Sequence, residues 1–394
     1  MADLIREILE ATTFRQQDID AVLDTSKVSW INFDPELGYV PRDVVLRDGQ
    51  DFAQTTYTHE KAGNRRVINF AERPCRINTY GDSYTQSQQV SDDETWQERL
   101  AAHFGEPIRN FGIGGHSILT AVHRAMRHEV TEVSAEYIVL GIFGDDHVRN
   151  LDASRWIRTQ YSERDRPREK AWPQHGLPWV HLRYDLAKNK FVECPGACKT
   201  PDDLRRLCDP EHFYKTFKDD QIVRLYSMEV GGEARFDDLE KTAEALGIKV
   251  DLRDPAKRAA EAHRLRMEYG MKSTMHILDG FLPWLKQHNK KPIILLSYGP
   301  MMIRDHLKGL PLPDQPLRDY LAGKGIKPID ILEKHLADYQ AFKVIPGEYV
   351  QRYFITPREA AVFGHYSPLG NLFFAMAIKD ELVAHLDPKP PAYR

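Results

Sequence analysis

From Arg76 to Phe143 the chain alternates short apolar runs with amphipathic ones, and that alternation leaves few folds open. Ile77-Asn78-Thr79-Tyr80 reads as a strand, Thr95 to Phe104 as an amphipathic helix, Ile108 to Phe111 as a second strand, Ile118 to Val130 as a second helix, and Tyr137 to Phe143 as a buried strand. Strands that alternate with helices are joined by crossovers, so the sheet is expected to be parallel. The pattern stops near residue 151. Residues 151–265 are rich in Arg, Lys, Asp and Pro, with Trp156, Trp172 and Trp179 among them, and read as one large, mainly helical insertion. Helix returns from Leu265 to His288 and feeds the apolar run Pro292 to Ser297, and a final helix, Leu369 to Leu386, closes the domain. Residues 1–74 open with an amphipathic helix and continue through Trp30, Phe33, Gly38, Tyr39 and Pro41. They read as an N-terminal extension packed on a core built from residues 75–150 and 266–394.

A chain of 394 residues with 42% hydrophobic residues can bury a core of that size. Lys plus Arg 54 against Asp plus Glu 58 leaves a formal charge of -4 without a long block of one sign. Binding nucleic acid by neutralising phosphates is therefore not expected. The opening MADLIREILEATTF carries acids within its first apolar turns and reads as neither a secretory signal nor a membrane anchor, so a cytoplasmic location is expected. No internal repeat or low-complexity tract is present. Four cysteines are too few for a disulfide framework. Cys194, Cys198, Cys208 and His212 offer four zinc-ligand types, but their spacing is not one of the common zinc patterns and Asp202 to Asp209 reads as an ordinary helix. Reduced, packed cysteines are expected instead, with no metal.

Ligands of an open parallel sheet bind outside the carboxyl ends of its strands. Four segments there carry unusual residues: Gly81-Asp82-Ser83-Tyr84, Asn110 to Ser117, Gly144-Asp145-Asp146-His147, and Phe363 to Asn371. Ser83 lies two residues after Gly81 on a strand-to-helix turn, where a hydroxyl can face a cleft; the alternative is a helix N-cap. The glycines at 112, 114 and 115 let backbone approach a ligand and aim an N–H at an oxyanion; a plain turn is equally consistent. His365, flanked by glycine and a helix start, can reach a serine as a base, or can be an ordinary loop histidine.

Taken together and in this order, the four segments resemble the SGNH hydrolases, also called the GDSL esterase and lipase family. Gly81-Asp82-Ser83 matches the first block, which implies Ser83 as nucleophile. Asn110 to Gly115 is similar to the second block, whose last glycine gives an oxyanion N–H, here Gly115 with Gly114 beside it. His365 matches the general base. The resemblance covers about 76–150 and 291–385, and Glu36-Leu37-Gly38-Tyr39 and Gly63-Asn64-Arg65-Arg66 resemble N-terminal extensions of larger bacterial members. It implies a three-layer α/β/α fold with a five-stranded parallel sheet and no metal or organic cofactor.

Two positions depart from the family. Its third block usually reads Gly-x-Asn-Asp with an oxyanion-donating Asn, whereas this chain has Phe143-Gly144-Asp145-Asp146. An ionised Asp145 has no proton to give; it would serve as a donor only if burial and Asp146 keep it protonated. Asn150 lies too far along to substitute. The family's orienting Asp, three residues before the histidine, is replaced by Val362, so His365 needs Glu359 or a main-chain carbonyl as its partner. The insertion residues Arg155, Trp156, Arg158, His175, Trp179 and Tyr184 would line a lid over a carbohydrate-sized or anionic substrate, pack into the core, or make oligomer contacts. The expected activity is removal of an O-acyl, in particular O-acetyl, group from a polar, sugar-like substrate by a Ser83-His365 dyad. An O-acyltransferase using the same residues, and a non-catalytic binding or scaffold protein that kept the fold, are the alternatives.

Overall fold

A computed structural model describes residues 4–162, 173–312, 314–355 and 364–394. The fold is a three-layer α/β/α arrangement around a five-stranded, all-parallel sheet. Its strands are β1 (Ile77–Tyr80), β2 (Arg109–Asn110), β3 (Tyr137–Phe143), β4 (Lys291–Ser297) and β5 (Ile329–Asp330), in the spatial order β5-β4-β3-β1-β2. Central β3 is buried at every position, as a continuous Tyr-Ile-Val-Leu-Gly-Ile-Phe run between two covered faces requires. It pairs with β1 from Ile77↔Tyr137 and with β4 from Lys291↔Tyr137, so both neighbours start level with it.

The expected strands are all present, β2 shortened to two residues. The helices follow the same pattern: α1 (Ser83–Gln86), α2 (Trp96–Phe104, capped by the Thr95 side chain), α3 (Ile118–His128) and α4 (Pro368–His385). The sheet has the five strands that the resemblance implies, but the sequence does not locate the fifth. Two residues are too short to leave a periodic signal, and β5 is held instead by Arg318, which bonds both Asp330 and Asp314. Buried Glu129 accepts from Asn78 at 2.6 Å, the Tyr80 hydroxyl at 2.7 Å and the Ala135 N–H at 2.8 Å, tying the end of α3 to β1.

The chain divides into two compact units, Pro41–Asp146 with Leu278–Arg394, and Met1–Val40 with His147–Ile277. The first holds the sheet. In the second, Trp156, Trp179 and Tyr184 are 3%, 0% and 7% exposed, and Arg158 pairs with Asp152 at 2.9 Å. These residues build that unit's own interior; Trp172 lies outside the described residues. The insertion is helical apart from the hairpin His181–Asp185 and Lys190–Cys194. Among the described residues no helix is long and apolar enough to cross a membrane.

Candidate active site

At the end of β1 the chain enters α1, and Asp82 caps that turn by accepting the Tyr84 N–H at 2.9 Å. Ser83 is therefore not the cap. It is the first helical residue, 6% exposed, and its hydroxyl donates to Asp82 Oδ2 across a long 3.4 Å.

A helix of four residues leaves most of its carbonyls without intrahelical donors. Here side chains supply them. Trp96 Nε1 donates to Tyr84 O at 3.2 Å and Gln97 Nε2 to Thr85 O at 2.7 Å. Asn110 Nδ2 and Arg65 Nη1 donate to Gln86 O at 3.2 and 3.0 Å, and Arg65 Nη1 also reaches Ser87 O at 3.0 Å. Arg65 is itself 2% exposed and paired with Asp92 at 2.9 Å. The turn that carries Ser83 is thus pinned at each carbonyl by donors from the lead-in, α2 and β2.

The glycine loop after β2 lies directly on this turn. Ile113 N–H donates to Gly81 O at 3.0 Å and Gly114 N–H to Gln86 Oε1 at 2.7 Å. A Cβ on Gly112 would stand 2.2 Å from the Gln86 nitrogen, so only glycine permits the approach. Gly115 then turns through φ +80° ahead of Ser117, the cap of α3. Gly114 is committed to Gln86, whereas the N–H groups of Ser83 and Gly115 donate to no acceptor among the described residues. Buried N–H groups are nearly always paired, so these two donors suit an oxygen brought by a ligand.

His365 immediately precedes Tyr366, which bridges to Phe354, and α4 follows with Ser367 as its cap. It is 6% exposed, and its ring lies 5.2 Å from that of Tyr84, the residue after Ser83. Nδ1 is 2.8 Å from Gln89 Oε1, which also accepts the His365 main-chain N–H at 2.9 Å. Sequence reasoning named Glu359 or a main-chain carbonyl for this place and did not single out Gln89. Glu359 and Val362 lie outside the described residues. No motif announces Gln89: it acts through tertiary position, and its backbone is left-handed at φ +72°.

Asp145 is half-buried after β3, and buried Asp146 turns back to accept the Phe143 N–H at 3.1 Å. Asn150 does not substitute for Asp145: its amide donates to Ser273 at 3.1 Å and Thr274 at 2.9 Å. His147 Nδ1 meets Thr274 Oγ1 at 2.8 Å, and His116 is buried at 1% exposure. Cys194, Cys198, Cys208 and His212 do not form a ligand set, since no three His, Cys, Asp or Glu residues are grouped around a metal position among the described residues. Burial pushes the Cys198 thiol up to about 12, against the thiolate that zinc would need.

Compared with known proteins, the chain matches no family model and no curated protein.

Proposed function

We propose that the chain is a serine-dependent ester hydrolase of the SGNH type, cleaving an O-acyl, in particular an O-acetyl, group. The supporting observation is that the pinned Ser83 turn and the glycine loop packed on it each hold an N–H with no acceptor among the described residues, Ser83 and Gly115, and that Tyr84 packs against His365. In this mechanism His365 accepts the Ser83 proton while Oγ bonds to the ester carbonyl carbon. The N–H groups of Ser83 and Gly115 hold the resulting oxyanion, and collapse expels the alcohol, which takes the proton back from His365. Water, deprotonated by the same histidine, then releases the acid and restores Ser83.

A fluorophosphonate probe, with short nitrophenyl esters and acetylated sugars as substrates, tests this. Wild type is expected to be labelled and to hydrolyse esters. Ser83→Ala should remain folded, because the hydroxyl's sole hydrogen bond among the described residues is a long one, and lose both. Removal of a covalent nucleophile costs several orders of magnitude, so a variant retaining more than roughly a tenth of the rate refutes Ser83 as nucleophile. An unlabelled wild type favours the scaffold alternative, and transfer of the acyl group to an added alcohol favours the transferase.

A further inference from the structure

The structure assigns Gln89 as the residue that holds His365 in one tautomer, a neutral carbonyl standing where a triad would place a carboxylate. The amide's orientation is determined by its neighbours. The His365 main-chain N–H can only donate, and it faces the side-chain atom Oε1 at 2.9 Å. The other end, Nε2, donates to the Asp48 main-chain carbonyl at 2.8 Å. A flipped amide would set donor against donor on one side and acceptor against acceptor on the other. The atom 2.8 Å from His365 Nδ1 is therefore an acceptor, so Nδ1 carries the proton and the lone pair of the neutral ring falls on Nε2.

Gln89 is built into the fold for this contact. It is 1% exposed, and its own N–H donates to the Tyr57 hydroxyl at 2.6 Å, which in turn donates to Asp48 Oδ2 at 2.9 Å. Tyr57 ends the second strand of the hairpin formed by Val44–Leu46 and Thr55–Tyr57, and Asp48 lies in the loop between its strands, so the lead-in segment supports the residue that holds the histidine. A non-glycine residue at φ +72° is uncommon and is retained where surrounding contacts impose it. In a triad the third member fixes the imidazole's tautomer and orientation and offsets its positive charge. A carboxamide supplies the first two without the third. The catalytic meaning of the contact rests on the ester-hydrolase reading; the tautomer does not.

Two measurements separate the claims. Nitrogen-edited NMR of the wild-type imidazoles, with His365 assigned by loss of its signals in His365→Gln, should show a proton on Nδ1 and none on Nε2 when the ring is neutral. A His365 protonated on Nε2 overturns the assignment whether or not any ester turns over. In kinetics, Gln89→Leu removes the acceptor at similar volume and should lower kcat by 10²-fold or more with little change in KM, while moving His365 toward the Nε2–H form. Gln89→Glu keeps an oxygen on both donors but sets its second oxygen against the Asp48 carbonyl, and should recover kcat at least about tenfold over Gln89→Leu without reaching wild type. Folded Gln89→Leu with undiminished kcat in an active enzyme removes the positioning role. Absence of ester turnover and of probe labelling in wild type would sink the hydrolase reading alone, because the NMR result still decides the contact.

Discussion

On the ester-hydrolase reading, Asp145 is the residue at which this chain departs from the expected set of oxyanion donors. It follows β3 in the place where an oxyanion-donating amide is expected, and it is half-buried. An ionised carboxylate there repels a tetrahedral oxyanion, and loss of one oxyanion donor elsewhere costs on the order of 10²–10³ in rate. Asp145→Asn supplies a donor that does not titrate. The expected outcome is preserved or increased kcat, read from ester kinetics of the two proteins. A folded but inactive variant would mean that the carboxylate itself is required, and Asp145 would leave the oxyanion assignment. Ser83, Gly115 and His365 could be picked out from sequence because each sits close to a glycine at the end of a regular element. Gln89 could not: glutamine carries no reactive group, and only the positions of Asp48, Tyr57 and His365 give its carbonyl a task.

At the scale of elements, α1 has too few turns to hold itself, and Arg65 is the main external support. Its guanidinium donates to Thr56, Gln86, Ser87 and Val90 carbonyls at 3.1, 3.0, 3.0 and 2.9 Å and pairs with Asp92. A lysine ammonium has three donors at one point and cannot span these positions. Arg65→Lys is expected to lower stability by about 2–4 kcal/mol through carbonyls left buried and unpaired. It should also reduce kcat by loosening the Ser83 turn; urea midpoints and ester kinetics measure the two. An unchanged midpoint would show that Trp96, Gln97 and Asn110 hold α1 without Arg65. The same reasoning explains which elements were legible. Strands β3 and β4 are unbroken apolar runs, and α2 and α3 have one buried face bounded by the caps Thr95 and Ser117. The short pieces β5 and the hairpin Val44–Leu46/Thr55–Tyr57 depend on partners distant in sequence, Arg318 for one and Gln89 for the other. Local pattern carries no record of such partners.

Across the molecule, three histidines of the sheet-bearing unit couple its stability to pH. Burial pushes His335 down to about 3; burial, with Arg65 and Arg124 nearby, pushes His59 down to about 4, and burial, with Arg124 and Arg127 nearby, pushes His128 down to about 4. In the unfolded chain all three would titrate near the ordinary histidine value of about 6.5. Between about 6.5 and 4 the unfolded state therefore binds protons that the folded state refuses. The stabilisation is fully present above that window and is lost as pH falls through it, at about 1.4 kcal/mol per pH unit for each histidine. Asp48 and Glu98 act oppositely: burial raises both, so the folded state takes up their protons first and recovers part of the loss at lower pH. His335 is the sharpest test, being fully buried with its ring nitrogens 3.0 and 2.8 Å from the hydroxyls of Tyr349 and Tyr366. His335→Gln keeps hydrogen-bonding capacity but does not titrate. It should cost about 1–3 kcal/mol at pH 7.5 from imperfectly satisfied tyrosines. Between pH 6.5 and 4 its stability should then fall less steeply than wild type, by about one histidine's share. Hydrogen exchange at Tyr137–Phe143 and Lys291–Ser297 reports on this unit directly. Parallel pH dependence in the two proteins would mean that His335 is protonated in the fold, against the burial that surrounds it.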